Sequence, residues 1–181
     1  DPSAPHHGPR TAAEYSEPTA LENAKLETFL SSVPETLGVN VPQMKLMYSP
    51  FLIRESSDKR HALELPLFKT VIGSVLTSYD TDLTYDISWE SSGKPFISAK
   101  QAHDFDVSLS HDDRVCICVS DKGPQGVDIQ PLTEKSKSDW MTLLGDAYEK
   151  LFDQLVFNHH EHLVGTILWT VLETVAKITT T

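Results

Sequence analysis

Three side chains near the end of the chain have the types and the spacing of a reactive group. Trp169, Glu173 and Lys177 are four residues apart. Four residues is close to one helical turn, so a helix would place all three on one face, with the acid one turn from the amine. On its own, the acid–amine pair would be a solvated ion pair worth about 0.2–0.5 kcal/mol. The apolar residues around the pair leave few polar positions on this helix, which favours a face that lines a cleft.

Three shorter blocks upstream carry further polar side chains. Residues 126–130 alternate apolar and polar types as a short strand does, which would direct Asp128 and Gln130 to the same side. Ser110 and His111 end a similar alternation. A turn sequence lies before both of these blocks and contains Gly93, Lys94 and Pro95.

Two of these residues also have simpler interpretations. Asp128 lies on a segment that runs into Pro131 and could cap a turn. His111 could cap a helix or a turn at Asp112. The presence of all four blocks in this order favours a functional interpretation instead, namely a site for a phosphorylated ligand and a hard metal ion.

Together, the four blocks resemble the 4′-phosphopantetheinyl transferase superfamily. The resemblance is to its two-half, monomeric type, which activates polyketide and peptide synthases. The blocks span residues 93–177, about half of the chain. Two positions depart from the family pattern, because the family usually has an acid where this chain has Gln130 and a lysine where it has Leu172.

The resemblance implies an enzyme that transfers the 4′-phosphopantetheine group of coenzyme A to a serine of an acyl carrier protein and releases 3′,5′-ADP. Magnesium is the implied cofactor, with Asp128, Gln130 and Glu173 as its ligands. Glu173, or a water that it orients, would take the serine proton. Lys177 would contact the pyrophosphate, so that Asp128, Glu173 and Lys177 form the implied catalytic set.

The same resemblance implies a set of residues that bind coenzyme A. Ser110 and His111 would hold its phosphates, with His111 near the 3′-phosphate. Lys69 falls where the family often has a phosphate-binding arginine. The adenine pocket would be lined by Gly93, Lys94 and Pro95.

Composition limits the partners. With 15 Lys and Arg against 26 Asp and Glu, the net charge is −11, and no basic stripe exists to neutralise the phosphates of a nucleic acid. Carrier proteins are commonly acidic, so docking would need local basic or apolar contacts. We expect no membrane partner, because no apolar run approaches the ~20 residues that span a bilayer. Cys116 and Cys118 are the only cysteines and are predicted to lie in a buried strand, which fits a reducing, cytoplasmic compartment.

The pattern of helices and strands predicts an α+β fold. Strands are expected at 106–110, 115–120 and 126–129, and helices at 139–158, at 166–178 and in a segment whose first turn contains Pro66. The family resemblance implies two similar α/β subdomains that are related by a pseudo-two-fold axis, with the active site at their interface.

Three regions follow from this pattern. Residues 1–18 are predicted to be a proline-rich linker, 19–105 the N-terminal subdomain, and 106–181 the C-terminal subdomain with the metal-site motifs. The linker-like start suggests a domain excised from a polyketide synthase, and the short C-terminal region suggests self-association through uncovered apolar surface. A different class of function is also consistent with the chain: a catalytically inactive module that binds coenzyme A or docks within a synthase. Gln130 and Leu172 favour that alternative.

Overall fold

The computed structural model describes residues 23–25, 27–29, 31–32, 38, 42–48, 56–82, 84–98, 104–112 and 114–179. The predicted linker at 1–18 lies outside these residues. The elements in chain order are β1 (Gln43–Tyr48), α1 (Ser57–Ser78), β2 (Asp86–Trp89), β3 (Pro95–Ser98), β4 (Phe105–His111), β5 (Val115–Lys122), α2 (Lys137–Leu144), a 3₁₀ turn (Asp146–Tyr148), α3 (Glu149–Val156) and α4 (Glu161–Thr179). Residues 23–25, 27–29 and 31–32 are helical as well. The predicted α+β fold is therefore confirmed.

Two small antiparallel sheets organise the strands. The larger sheet has the order β1-β5-β4, so that β5 lies in its centre, and the smaller sheet is the β2–β3 hairpin. Because β1 pairs with β5, the two predicted halves of the chain share one sheet. The described part of the chain gives no evidence of two subdomains related by a pseudo-two-fold axis.

Helix α1 covers the larger sheet with one apolar face. Its buried apolar residues recur at intervals of one, three and four: Leu67, Phe68, Val71, Ile72, Val75 and Leu76. This face packs with Val107, Cys116 and Cys118 in one hydrophobic cluster. Both cysteines are free thiols with 0% exposure, which confirms their predicted place in a core strand.

The start of α1 differs from the prediction. The helix begins at Ser57 and contains Pro66 in its interior, whereas the sequence pattern placed Pro66 in its first turn. A proline inside a helix removes one backbone donor. Burial of the face that runs from Glu64 to Leu76 outweighs that loss.

A second hydrophobic cluster joins α2, α3 and α4 around Trp140, Phe152 and Leu168. The predicted helix 139–158 is interrupted at Gly145, whose φ of 84° ends α2 and whose N–H bonds the Met141 carbonyl at 2.8 Å. Across the cluster, the Trp140 ring contacts the α4 backbone directly: a Cβ atom added at Gly165 would lie 2.2 Å from the ring.

Apolar side chains on the outer face of α4 remain in contact with solvent. The exposed members lie four residues apart, and they are Leu163, Ile167, Val171 and Val175. No helix in the described part of the chain is both long enough and apolar enough to cross a membrane.

Candidate functional site

The segment that carries Asp128 is held beside β4 by side chains rather than by a β-ladder. Every second residue of the segment donates its backbone N–H to a side chain on every second residue of β4. These bonds join Gln125 to Asp106 (2.9 Å), Val127 to Ser108 (3.2 Å) and Ile129 to Ser110 (3.2 Å). Both residue numbers rise together, so the segment runs parallel to β4. The prediction of a strand at 126–129 is wrong, because serine and aspartate oxygens replace the backbone carbonyls that a ladder would use.

Asp128 is the centre of a polar cluster. Its Oδ1 accepts hydrogen bonds from the Ser110 hydroxyl and from Lys177 Nζ, both at 2.9 Å. Its Oδ2 accepts one from the Gln130 amide at 2.8 Å. Lys177 Nζ also donates to the Val127 carbonyl at 2.9 Å. The Asp128 side chain is only 5% exposed, and all three of its donors are side chains, so Asp128 does not act as a turn cap.

Lys177 reaches Asp128 because α4 lies in backbone contact with the segment. A Cβ atom added at Gly126 would lie 2.6 Å from the Thr174 carbonyl oxygen and 2.6 Å from Ile178 Cγ1. Glycine is thus required at this position for the close approach. Among the described residues, Lys177 forms its ion pair with Asp128 and not with Glu173. The solvated Glu173–Lys177 pair that the helical spacing allowed is therefore not formed.

A cavity of about 500 Å³ lies next to this cluster. Its wall combines residues from α1, the β2–β3 hairpin, β4 and α4, and Lys177 belongs both to the wall and to the Asp128 cluster. Most of the titratable groups in the wall are basic. The lining residues are Arg60, His61, Glu64, Glu90, Ser92, Gly93, Lys94, Pro95, Ser108, Leu109, His111 and Lys177.

The hairpin turn that contributes Gly93 and Lys94 is closed by backbone hydrogen bonds. The Glu90 N–H donates to the Lys94 carbonyl and the Gly93 N–H donates to the Glu90 carbonyl, both at 2.9 Å. Gly93 has a φ of 86°, a conformation that favours glycine. The turn therefore holds the half-buried Lys94 at the cavity by backbone geometry.

The predicted site residues fall into groups. Five of them line the cavity, namely Gly93, Lys94, Pro95, His111 and Lys177. Asp128 is hydrogen-bonded to the cavity residue Lys177, and Ser110 and Gln130 are hydrogen-bonded to Asp128. Glu173 is half-buried on α4, one turn before Lys177. Lys69 is exposed and does not line this cavity; its backbone carbonyl accepts from the Tyr85 hydroxyl at 3.4 Å.

Seven residues of the wall were not predicted, and three of them lie on α1: Arg60, His61 and Glu64. They were missed because the helix was expected to begin at Pro66. The sequence does contain a clue, since the spacing of the apolar face of α1 continues backwards from Leu67 and Phe68 to Glu64, where an acid replaces an apolar residue.

The surroundings of His111 disfavour its charged form. Burial and the nearby charges of Arg60 and Lys177 lower the pKa of His111 below its ordinary value, while Asp112 raises it. A bound phosphate would reverse the balance, because a nearby anion favours the imidazolium.

Glu64 is the most unusual group in the wall. Its side chain is 1% exposed, and Oε1 has no hydrogen-bond partner among the described residues. Arg60 Nε lies 3.7 Å from Oε1, which is too long for a hydrogen bond. Burial raises the pKa of Glu64 to about 7, although the charge of Arg60 lowers it.

We expect the unusual pKa of Glu64 to make the protein less stable as pH rises. The folded protein holds this proton more tightly than the unfolded chain, whose glutamate has a pKa near 4.5. The free energy of unfolding should therefore fall as pH rises from about 4.5 through 7, by roughly 3 kcal/mol for the full shift. Urea denaturation between pH 5 and 8 would measure this slope.

Two variants make the slope specific to Glu64. Glu64→Gln has nearly the same shape and no charge, so most of the fall should disappear. Glu90→Gln removes a charge from an exposed position of the same wall and should keep the wild-type slope. His111 makes the free energy of unfolding rise with pH in all three proteins, so its contribution cancels when their slopes are compared. Equal slopes in wild type and Glu64→Gln would show that the carboxyl is ionised at neutral pH.

Asp128, Gln130 and Glu173 carry oxygen types that bind a hard divalent cation, but the Gln130 amide directs its NH2 group toward Asp128. Carboxylate and amide oxygens are ligands that Mg²⁺ accepts, together with water or phosphate oxygens. Asp128 and Gln130 are in direct contact, whereas the Glu173 side chain forms no ion pair or hydrogen bond with the part of the chain that the structure describes. No group of three His, Cys, Asp or Glu side chains within the described ranges could hold a metal ion. A bound Mg²⁺ would therefore use two carboxylates at most, and at Asp128 Oδ1 it would compete with the ammonium of Lys177.

No model of a known protein family matches the chain, and no curated protein matches it. Evidence about function comes from the residues themselves, above all from the cavity, its basic wall and the cluster around Asp128.

Proposed function

We propose that this protein is a 4′-phosphopantetheinyl transferase that moves the phosphopantetheine group of coenzyme A to a serine of an acyl carrier protein. The observation that carries the proposal is the position of Lys177. Its ammonium lies 2.9 Å from the buried carboxylate of Asp128 and also lines a cavity with a basic wall. A cation between a metal-binding acid and an anion-binding cavity is what transfer from a pyrophosphate requires.

The cavity has a suitable size and charge for part of coenzyme A. Small-molecule sites usually enclose about 300–1,000 Å³, and this cavity encloses about 500 Å³. Arg60, Lys94 and Lys177 supply positive charge against the phosphates, and His111 can gain a proton when an anion binds. In this proposal the turn at Gly93 and Pro95 lies against the adenine.

The reaction forms one bond and breaks another at the same phosphorus atom. The serine oxygen of the carrier attacks the phosphorus that bears pantetheine, and the bond to 3′,5′-ADP breaks. Glu173 takes the serine proton, directly or through a water. Lys177 stabilises the charge on the departing 3′,5′-ADP. Mg²⁺, held by Asp128, Glu173 and Gln130, would neutralise the pyrophosphate when bound.

The remaining parts of the proposal concern architecture, partners and location. The cavity takes residues from both 19–105 and 106–181, which supports a site between two halves of the chain. The acyl carrier protein is the proposed macromolecular partner, and the host pathway is polyketide biosynthesis in the cytoplasm. The exposed apolar residues on α4 support self-association as a further proposal.

One observation favours a second candidate function, a catalytically inactive module that binds coenzyme A or docks within a synthase. Both oxygens of Asp128 are engaged by protein donors, and the position where the family usually has a third acid donates an amide hydrogen instead. Such a cluster could hold the segment to α4 without any metal. The cavity would then bind its ligand without turnover.

Mass spectrometry separates the two candidates. An apo acyl carrier protein is incubated with this protein, coenzyme A and Mg²⁺, and a mass gain of one phosphopantetheine group on the carrier identifies the transferase. Binding of coenzyme A without a mass gain would identify the inactive module. The absence of both would contradict both candidates.

We expect three alanine substitutions in the cavity wall to weaken coenzyme A binding. Lys94→Ala, His111→Ala and Lys177→Ala each remove a charge-assisted contact, which should cost about 1–3 kcal/mol of binding free energy. Calorimetry on each variant measures the loss. Lys69→Ala is the matched comparison, because Lys69 lies outside the wall and its loss should leave affinity unchanged. An equal loss of binding free energy in Lys69→Ala would show that Lys69 also contacts the ligand's phosphates.

A further inference from the structure

The carboxyl of Glu64 lies in a cavity whose other charged groups are mostly basic. Glu64 belongs to the buried face of α1, at the end nearest the cavity, and is 1% exposed. Its Oε1 is shielded from solvent and has no hydrogen-bond partner among the described residues. A buried polar atom without a partner is costly, and a ligand group in the cavity could supply the missing hydrogen bond.

We propose that Glu64 is a ligand-binding residue that takes up a proton as the phosphorylated ligand enters and then donates a hydrogen bond to a phosphate oxygen. An ionised carboxylate in this poorly solvated wall would repel the same phosphates that the basic residues attract. The neutral acid removes the repulsion and offers an O–H donor. The identity of the ligand as coenzyme A rests on the proposed function, but the proton uptake does not.

The surroundings of Glu64 make this protonation accessible near neutral pH. Burial already favours the neutral form and raises the pKa of Glu64 to about 7 in the free protein. Arg60 opposes this shift from one helical turn away. The other titratable or charged groups that share its cavity or its core are His61 on α1, Glu90 and Lys94 on the hairpin, His111 on β4, Cys116 and Cys118 on β5, and Lys177 on α4.

Three of these neighbours bear on the interpretation of proton uptake. The thiols of Cys116 and Cys118 stay protonated, because burial raises their pKa far above neutrality. His111 has a lowered pKa and would also take up a proton beside a phosphate. Proton uptake by the wild-type protein therefore has two sources, which variants at Glu64 and His111 separate.

Calorimetry at pH 6.0, 7.5 and 8.5, in buffers with different ionisation enthalpies, measures affinity and proton uptake together. The probes are coenzyme A and inorganic pyrophosphate, each with wild type, Glu64→Gln, His111→Gln and the control Glu90→Gln. At pH 8.5 we expect Glu64→Gln to bind both probes about tenfold more tightly than wild type. At pH 6.0 the affinities of the two proteins should agree to within about twofold. Glu64→Gln should also take up fewer protons. Glu90→Gln removes an exposed charge from the same wall, so it should take up as many protons as wild type and change affinity by the same factor at all three pH values.

Each outcome has a definite meaning. Equal pH dependence and equal proton uptake in wild type and Glu64→Gln would overturn the inference, as would weaker binding by Glu64→Gln at every pH. If Glu64→Gln does not fold, loss of all proton uptake in His111→Gln would overturn it, and remaining uptake would support it. Glu64-dependent pyrophosphate binding without coenzyme A binding would support the inference and contradict the proposed function. Binding of neither probe would contradict both.

Discussion

Replacement of Asp128 or Glu173 by alanine should reduce phosphopantetheine transfer by at least about a thousandfold. Each substitution removes a carboxylate from the proposed metal site, and Glu173→Ala also removes the proposed base. Initial rates of mass gain on an apo carrier protein measure the effect. Alanine variants of both residues that modify the carrier at the wild-type rate would show that the proposed site is wrong.

Asp128 needs a control for folding, because its side chain also holds the fold together. It accepts three hydrogen bonds from side chains and is 5% exposed, so Asp128→Ala leaves Lys177 without its ion-pair partner. Asp128→Asn keeps nearly the same shape and removes the charge. We expect Asp128→Asn to melt closer to wild type than Asp128→Ala while losing as much activity.

Gln130→Glu tests the metal site from the opposite direction. The Gln130 amide lies 2.8 Å from Asp128 Oδ2, so a carboxylate there would repel Asp128 unless a cation lies between them. The variant should retain activity, and Mg²⁺ should raise its melting temperature more than that of wild type. An inactive Gln130→Glu protein that Mg²⁺ does not stabilise would favour the inactive module over the transferase.

Local patterns predicted the elements that are strongly periodic. The alternation around β4 and β5 predicted two strands to within two residues at each end, and the buried cysteines followed from the same alternation. These predictions succeeded because successive side chains of a strand point to opposite faces of the sheet, whatever strands it pairs with. The helix at 139–158 was less accurate, since a positive φ at Gly145 divides it.

Contacts between distant segments were beyond the reach of such patterns. The segment 126–129 alternates like a strand, but its N–H groups bond the side chains of β4 instead of a neighbouring backbone. The partner of Lys177 is Asp128, 49 residues away, rather than the acid one turn before it. In the same way, the sequence places Glu64 on the apolar face of α1 but does not show that this end of the face lines a cavity. Tertiary packing determines these contacts, and local patterns in a single sequence do not show which distant segments pack together.

Gly126→Ala should both destabilise the protein and reduce its activity, because the glycine sets the distance between the Asp128 segment and α4. An added Cβ would meet the Thr174 carbonyl oxygen at 2.6 Å, and a backbone atom in a helix cannot move aside alone. The segment and α4 must then separate, which lengthens the contacts of Lys177 with Val127 and Asp128. Overpacking of this kind costs about 1–3 kcal/mol. For a chain of this size, that cost lowers the melting temperature by about 3–10 °C.

Gly73→Ala is the matched control for this substitution. Gly73 lies inside α1, and a Cβ atom there would meet nothing within 4 Å, so alanine should stabilise the helix by about 0.5–1 kcal/mol. Thermal melting of both variants, with transfer assays below the transition, tests the pair. Gly126→Ala should remain impaired at temperatures where it is fully folded, because Lys177 is displaced from Asp128. A Gly126→Ala protein that melts and reacts like Gly73→Ala would show that α4 and the Asp128 segment do not need their close contact.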